Sequence, residues 1–322
     1  MVTFDPNAAA APDSGVFGLP FTPHEAEVVL LPIPFEATTS YGGGTADGPA
    51  AILEASKQVD LFDVETGRPY ERGIAILEPR PEIRRWNDEA RALAEPIIAA
   101  GGPGDDPALL AAQAQVNALC AQMNEAVYAE AKAWLGRGKR VVGVGGDHST
   151  VFGIIRAYAE KYPGLGILHV DAHADLRDAY EGFTWSHASI FHNVMTRLPG
   201  VSKLVQVGIR DLGEAEFRFS EDSGGRIVTH YDARTKARQH EGTSWRDLCV
   251  EMVEALPQDV YVSFDIDGLD PTLCPHTGTP VPGGLSFSEA TTLVGEVVRS
   301  GRRIVGLDLN EVAPGPGSEW DG

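Results

Sequence analysis

Three short clusters hold the residues best able to do chemistry. Asp171, His173 and Asp175 alternate in the run Asp171-Ala172-His173-Ala174-Asp175. Asp265 and Asp267 repeat that spacing, and His148 sits in Gly145-Gly146-Asp147-His148-Ser149. Alternation puts side chains on one side of the chain wherever the backbone stays extended. These four carboxylates and two imidazoles are about what two divalent ions need if some carboxylates bridge. Mixed carboxylate and imidazole ligation suits Mn, and could suit Ni, Fe or Zn. Two such ions a few Å apart can share one hydroxide and lower its pKa towards neutrality, which is hydrolytic chemistry. Any one Asp or His here could equally cap a turn or satisfy a core. Six of them at neighbouring strand ends fit that bland reading poorly.

What must position them is a series of strand-length apolar runs alternating with helical stretches. Strands are expected at 27–34, 73–77, 140–146, 165–171, 204–210, 226–231, 259–267 and 303–310, and helices at 109–137, 150–161, 243–255 and 288–299 among others. The apolar runs are nearly continuous and rich in Val, Ile and Leu, as in strands buried on both faces of a parallel sheet. Ser288 is a reasonable N-cap for the last helix, although Thr291 completes a poor capping box. Residues 1–25, rich in Ala, Pro and Gly, read as an irregular arm, and 26–322 as a single doubly wound α/β domain of about eight strands. In such sheets ligands collect at the carboxyl ends of the strands. The segments 145–149, 171–175, 265–267 and 310–312 all fall at such ends, so they can converge although far apart in sequence.

Composition narrows the partners. The chain has 322 residues, 43% of them hydrophobic and 22% charged, enough for a substantial core. A net charge of -20 argues against nucleic acid, which needs clustered Lys and Arg. It fits a cationic substrate, and it also serves solubility. Cys120, Cys249 and Cys274 show no CxxC spacing, so neither a disulfide framework nor a thiolate metal site is expected. The N-terminus has no basic region followed by an apolar one, and no apolar run approaches the roughly 18 residues of a membrane span. A cytoplasmic location is the default expectation.

The segments GGDHS (145–149), DAHAD (171–175), SFDIDGLDP (263–271), TGTPVPGGL (277–285) and NEV (310–312) together resemble the arginase/agmatinase, or ureohydrolase, family. The resemblance runs from about residue 28 to the end. It implies a three-layer α/β/α fold around an eight-stranded, mainly parallel sheet, and hydrolysis of guanidino C–N bonds on two divalent ions, usually Mn and in some members Ni. It also implies assembly as a trimer or hexamer. By motif, one ion would be held by His148, Asp171, Asp175 and Asp265, and the other by Asp171, His173, Asp265 and Asp267, with Asp171 and Asp265 bridging. His187, in TWSHAS (184–189), matches a histidine that shuttles protons near the leaving group, and an imidazole suits that task. Glu311 matches a carboxylate that grips the guanidinium, whose planar fork pairs well with it. Thr279 and Pro280 shape the adjoining loop. Asp147 is better placed behind His148 than as a ligand, His169 reads as a hydrogen-bonded core residue, and Trp185 either walls the pocket or packs its loop.

Substrate choice is written less plainly. Arginases hold the amino-acid end of arginine through a longer loop after the metal cluster and a carboxylate beyond the next strand. Here that loop is short (175–187), and the strand ends GIRDLGE (208–214) with Gly213 at the carboxylate's place. Arg177 lies just past the cluster. Facing the pocket it would repel a second cation by roughly 1 to 4 kcal/mol at 4 Å; facing outward it would pair with Asp178 or Glu181. His276 stands where the family has a small residue and could shorten the site towards guanidine or a small substituted guanidine. After Glu319-Trp320-Asp321-Gly322 the family continues into a further helix, so this helix is expected to be truncated or absent. The expected activity is release of urea from agmatine-like compounds or guanidine. Formiminoglutamate or guanidino acids, with a carboxylate tail meeting Arg177, are the second reading. A non-catalytic subunit of a hetero-oligomer is the third, and it should have lost ligands that are all present here.

Overall fold

The computed structural model describes residues 4–316. Its eight strands fall on the eight apolar runs: β1 (Val28–Ile33), β2 (Ile74–Ile76), β3 (Arg140–Gly145), β4 (Leu165–Val170), β5 (Val201–Ile209), β6 (Ile227–Tyr231), β7 (Asp259–Asp265) and β8 (Arg303–Asn310). They form one sheet in the order β2-β1-β3-β8-β7-β4-β5-β6. Every neighbouring pair is parallel, so the sheet expected to be mainly parallel is wholly so.

A sheet buried on both faces needs apolar side chains pointing both ways. Along β4, Ile167 enters the core on one face while Leu168 and Val170 enter the core on the other. The first face is covered by α2 (Pro81–Ala99), α3 (Pro107–Gly136), α4 (Phe152–Lys161) and α5 (Ile190–Arg197), through residues such as Ile83, Met123, Ile154 and Phe191. The second is covered by α8 (Trp245–Glu254) and α9 (Phe287–Arg299), through Leu248, Met252, Leu293 and Val297. This is the three-layer α/β/α architecture. Burying each such side chain stabilises the fold by about 1.5–3 kcal/mol. Close approach is set locally by small residues. A Cβ on Gly306 of β8 would lie 2.4 Å from the Tyr158 ring, whose hydroxyl in turn donates to the Val141 carbonyl at 2.8 Å and accepts from its N–H at 2.9 Å. Gly306→Ala would therefore push α4 off the centre of the sheet.

Helix ends follow capping chemistry. Asp106 accepts from the N–H groups of Ala108 and Leu109 at the start of α3, with Pro107 at the first helical position. For α9 the cap is Ser286, two residues before the expected Ser288. Ser286 and Glu289 exchange hydrogen bonds in a capping box, and Ser288 lies inside the first turn. Four shorter helices complete the connections: α1 (Gly48–Ser56), α6 (Glu214–Glu221), α7 (Asp232–His240) and α5 above.

Residues 4–25 are irregular apart from a 3-10 turn at Val16–Gly18, yet they are tied down. Val16 is fully buried beside Leu30 and Val144, and the Phe17 N–H donates to Ser56 Oγ at 2.9 Å. Cys120, Cys249 and Cys274 are buried and unbridged. Among the described residues no helix is long and apolar enough to cross a membrane. The expectation of a missing last helix concerns residues 319–322 and lies outside the described residues.

The sheet order has one consequence that matters most for function. Strands β3, β8, β7 and β4 are side by side at its centre, so the segments GGDHS, NEV, DID and DAHAD emerge from adjacent carboxyl ends.

Candidate metal centre

Local geometry at two of those ends departs from simple extension. After β3, the Gly146 N–H donates to the Ile33 carbonyl, and a Cβ there would lie 2.0 Å from the Phe35 carbonyl oxygen. Only glycine lets the chain turn at this point, and the turn presents His148 to the centre. Beyond β4 the backbone does not remain extended to Asp175, as alternation alone would suggest. Asp175 takes φ 54°, and Glu311, just beyond β8, takes φ 62°. Left-handed backbone is unusual for non-glycine residues and clusters at functional sites. Turned in this way, Asp175 Oδ2 comes to 3.3 Å from His148 Nδ1.

All six expected ligand residues are brought together. His148 Nδ1 also lies 3.0 Å from Asp171 Oδ2 and 3.3 Å from Asp265 Oδ2. His173 Nδ1 lies 3.0 Å from Asp267 Oδ2 and 3.5 Å from Asp171 Oδ1. Donor atoms within 4.8 Å of one another form two groups: His148, His169, Asp171 and Asp175 in one, and Asp171, His173 and Asp267 in the other. Asp171 belongs to both, as a bridge would. Asp265 adjoins the first group through His148, and its Oδ1 accepts from the Asp267 N–H at 2.8 Å.

The sheet behind the cluster fixes the orientation of the His148 imidazole. Ser263 on β7 donates its single hydroxyl proton to Asp308 on β8, at 2.9 Å, and therefore accepts from His148 Nε2–H at 3.0 Å. Nδ1 is left facing the carboxylates, the nitrogen from which a bound cation would displace the proton, as in ligating histidines.

The charges of the site oppose one another. Burial, then repulsion from Asp171, pushes Asp175 up to about 7. Burial and the charges of Asp267 and Asp171 push Asp265 well above the carboxylate range, and burial and Asp171 raise Asp267. Burial opposes a charged His173, but Asp171 and Asp267 outweigh it and raise its pKa to about 12. Among the described residues no Lys or Arg pairs with any of these four aspartates. Buried carboxylates with imidazole neighbours and no Lys or Arg partner among the described residues are a donor set that fits divalent ions, and ions would relieve the repulsion that protons now relieve.

Above the cluster opens a cavity of about 440 Å³, lined by His173 and Asp175 at its floor and by His187, Arg177, Tyr180, Asp211 and Thr279 around it. Burial pushes His187 down to about 4, aided by the charges of His173 and His148, so its ring is neutral at pH 7. Glu311 is buried beneath the loop that carries Thr279. Its Oε1 accepts from the His148 N–H at 2.9 Å, and burial, with the charges of Asp147 and Asp267, raises its pKa well above the usual value. Arg177 does face the cavity, but it pairs with neither Asp178 nor Glu181. Its Nε lies 3.5 Å from Glu216 Oε2 and its guanidinium sits over the Tyr180 ring. Trp185 lies edge-on to Phe152 and under Arg197, which answers the packing alternative, and it does not line the cavity. His276 is half-buried and does not line it either. Asp147 caps the turn after β3 through Ser149.

Two contributors were missed. Asp211, at the end of β5, lines the cavity. The signal was its place directly after a strand in GIRDLGE. Arg210 beside it donates to the carbonyls of Gly208, Asp267, Leu269 and Val281, tying the turn after β7 and the 277–285 loop to the end of β5.

The chain belongs to the arginase family, whose model matches residues 26–319. It is 35% identical over 302 residues to an N(1)-aminopropylagmatine ureohydrolase of Thermus thermophilus, covering 93% of this chain and 87% of that one. It is 31% identical to an agmatinase of Bacillus anthracis, covering 90% and 84%. Among solved structures it resembles the agmatine ureohydrolase of Thermoplasma volcanium, with a TM-score of 0.69 at 24% identity over 93% of this chain and 86% of that one. The last likeness bears on the fold alone.

Proposed function

We propose that the protein is a metal-dependent ureohydrolase that cleaves the guanidino C–N bond of agmatine or an N-substituted agmatine, releasing urea and an amine. The observation that carries this reading is a cluster of six metal-type donors, without a Lys or Arg partner among the described residues, two of which, His173 and Asp175, form the floor of a cavity of about 440 Å³. The kinship with agmatinase and N(1)-aminopropylagmatine ureohydrolase supports it.

His148, Asp171, Asp175 and Asp265 would hold one ion, and Asp171, His173, Asp265 and Asp267 the other. Mn fits this set of oxygen and imidazole donors, with Ni the alternative. Bound there, the ions supply Lewis acidity that brings a water's pKa near neutrality. The protein's own residues do the rest. Glu311 accepts hydrogen bonds from the guanidinium, whose charge draws the carboxyl back to its ionised form. His187, neutral at pH 7 and on the cavity wall, can take a proton from the attacking water and pass it to the departing amine nitrogen. Thr279 closes the side of the site.

The cavity wall supports an amine tail over a carboxylate one. Arg177 is partly neutralised by the buried Glu216 and stacked on Tyr180, while Asp211 adds a carboxylate with no ion-pair partner among the described residues. Formiminoglutamate and guanidino acids are therefore the weaker reading. Guanidine alone would leave most of the cavity unfilled. A non-catalytic subunit is disfavoured because such a chain should have lost ligands, whereas all six, with His187 and Glu311, are present in the sequence. A homotrimer or hexamer in the cytoplasm, with 26–322 as one domain behind the arm, completes the proposal.

A urea-release assay on Mn- and Ni-loaded protein tests it, with agmatine, N(1)-aminopropylagmatine, arginine, 4-guanidinobutyrate, guanidine and formiminoglutamate side by side. The two amines should give the highest kcat/KM. Preference for arginine or a guanidino acid would overturn the amine-tail reading.

A further inference from the structure

Three imidazoles crowd Asp171, and His169 makes the shortest contact of the three, with Nε2 2.7 Å from Asp171 Oδ2. By donor type and distance His169 belongs to the same group as His148, Asp171 and Asp175. What separates it from a ligand lies behind it, on β5 and β6. Gln206 of β5 places its Nε2 at 2.7 Å from the Ala174 carbonyl and 3.0 Å from His169 Nδ1. A carbonyl oxygen only accepts, so this end of the amide must be the NH2 group. It donates to both neighbours, and His169 Nδ1 is therefore an acceptor. The ring proton then sits on Nε2 and is donated to Asp171. The orientation of Gln206 is supported in turn by Thr229 of β6, whose hydroxyl donates to Gln206 Oε1 at 3.0 Å and lies 3.2 Å from Ser220 Oγ. Gln206, His169 and Asp171 are all fully buried, so no solvent competes for these bonds.

We propose that Gln206, held by Thr229, is a positioning residue that fixes the tautomer of His169. It makes His169 a hydrogen-bond donor to Asp171 and keeps it out of the metal coordination sphere. The contrast with His148 is the crux. There Nε2–H points away to Ser263, and Nδ1 faces the carboxylates, where a cation can take the place of its proton. At His169 the proton is driven towards the carboxylate, aiming Asp171 Oδ2 and leaving no lone pair on that side. Residues on two strands that never touch the cavity would thus decide which imidazoles ligate. The inference rests on the metal-centre reading above.

Chelator competition with Mn²⁺ on the full-length protein tests both separately. Wild type should hold two ions per chain; if it holds none, the metal-centre reading fails and this inference with it. With two ions held by wild type, Gln206→Met should bind the weaker ion about 10- to 100-fold less tightly, the usual cost of losing such a support. Thr229→Val, which removes one hydroxyl at nearly constant shape, should weaken it about threefold to tenfold, the worth of one hydrogen bond. Thr229→Ser should restore wild-type affinity. KM at saturating Mn²⁺ should be unchanged in all three, and the metal-free melting temperature should stay near that of wild type. Wild-type affinity in both Gln206→Met and Thr229→Val would overturn the proposal. So would a fall in metal-free melting temperature that accounts for the lost affinity, since that marks a merely structural role. If Gln206→Met does not fold, the Thr229 pair decides.

Discussion

Two groups of acids in this chain meet opposite fates. At the corner between α7 and α9, Glu289 accepts from Lys236 Nζ at 2.8 and 2.9 Å, from Gln239 Nε2 at 2.9 Å and from the Ser286 N–H at 2.9 Å. Burial works against its charge, yet Lys236, Gln239 and Ser286 hold its carboxyl down to about 2. At the strand ends, Asp175, Asp265 and Asp267 are more deeply buried and face one another, and their pKa values rise. The first group is satisfied within the chain and stabilises it. The second is not satisfied and costs stability, which a fold retains only where the cost has a use. The missing partner, rather than the presence of acids, is what marks a site for a ligand.

The largest effect that could break this comparison is at Asp265. Its folded pKa is raised, so at neutral pH its ionised form opposes folding, and more so as pH climbs through the unfolded value. Asp265→Asn should therefore raise the melting temperature of the metal-free protein at pH 7. The same change should abolish tight binding of at least one ion and lower kcat/KM for agmatine by at least about 10³-fold, as expected when a group that organises the site is lost. A metal-free variant less stable than wild type would mean that Asp265 is structurally satisfied, and the contrast with Glu289 would fall.

Next in size is His187. It lies on the cavity wall outside both donor groups, so His187→Asn should leave two ions bound while cutting kcat by about 10²–10⁴-fold, the range of one proton-transfer group. Loss of metal alongside activity would show it to be part of the cluster instead.

How far this contrast was legible in the sequence depends on how local each cause is. The strands were plain because burial on both faces demands nearly continuous apolar runs, as in Leu165–Val170 and in Arg303–Asn310. That the six candidate ligands would meet was plain because strand ends must converge in a parallel sheet. Three things were not. The cap of α9 fell on Ser286, because the reciprocal bond with Glu289 outweighs the serine nearer the apolar run. The turn at Asp175 needed tertiary context, since only its meeting with His148 reveals the left-handed backbone. The partner of Arg177 is Glu216, a residue 39 positions on that α6 brings back, and no local spacing announces such a pair.

The satisfied corner offers a smaller, pH-resolved test. Glu289 has a depressed folded pKa, so the stability it contributes is fully present above the unfolded value near 4.5 and is lost as pH falls towards about 2. Glu289→Gln keeps an oxygen for the capping bond from the Ser286 N–H but loses the charge that Lys236 pairs with, and the loss should be about 1–2 kcal/mol at pH 7 by denaturant unfolding. The two proteins should converge in stability as pH falls below 4. A gap that persists to pH 2.5 would mean that the carboxyl's shape, rather than its charge, is what matters there.

The smallest expected effect concerns substrate choice. His276 interrupts a family pattern, and on sequence alone it was a fair suspect for shortening the site. Its side chain does not reach the cavity wall, which Thr279, Pro280 and Val281 form a few residues later in the same loop. A side chain discriminates between substrates only through contacts that differ between them. His276→Gly should therefore leave the ratio of kcat/KM for agmatine and guanidine within about twofold of wild type, less than about 0.5 kcal/mol. Asp211→Asn, on the wall itself, provides the positive control, and should lower that ratio while sparing guanidine. If the histidine moves the ratio and the aspartate does not, the tail of the substrate lies along the 274–278 segment, and the acidic wall at the end of β5 has been given the wrong task.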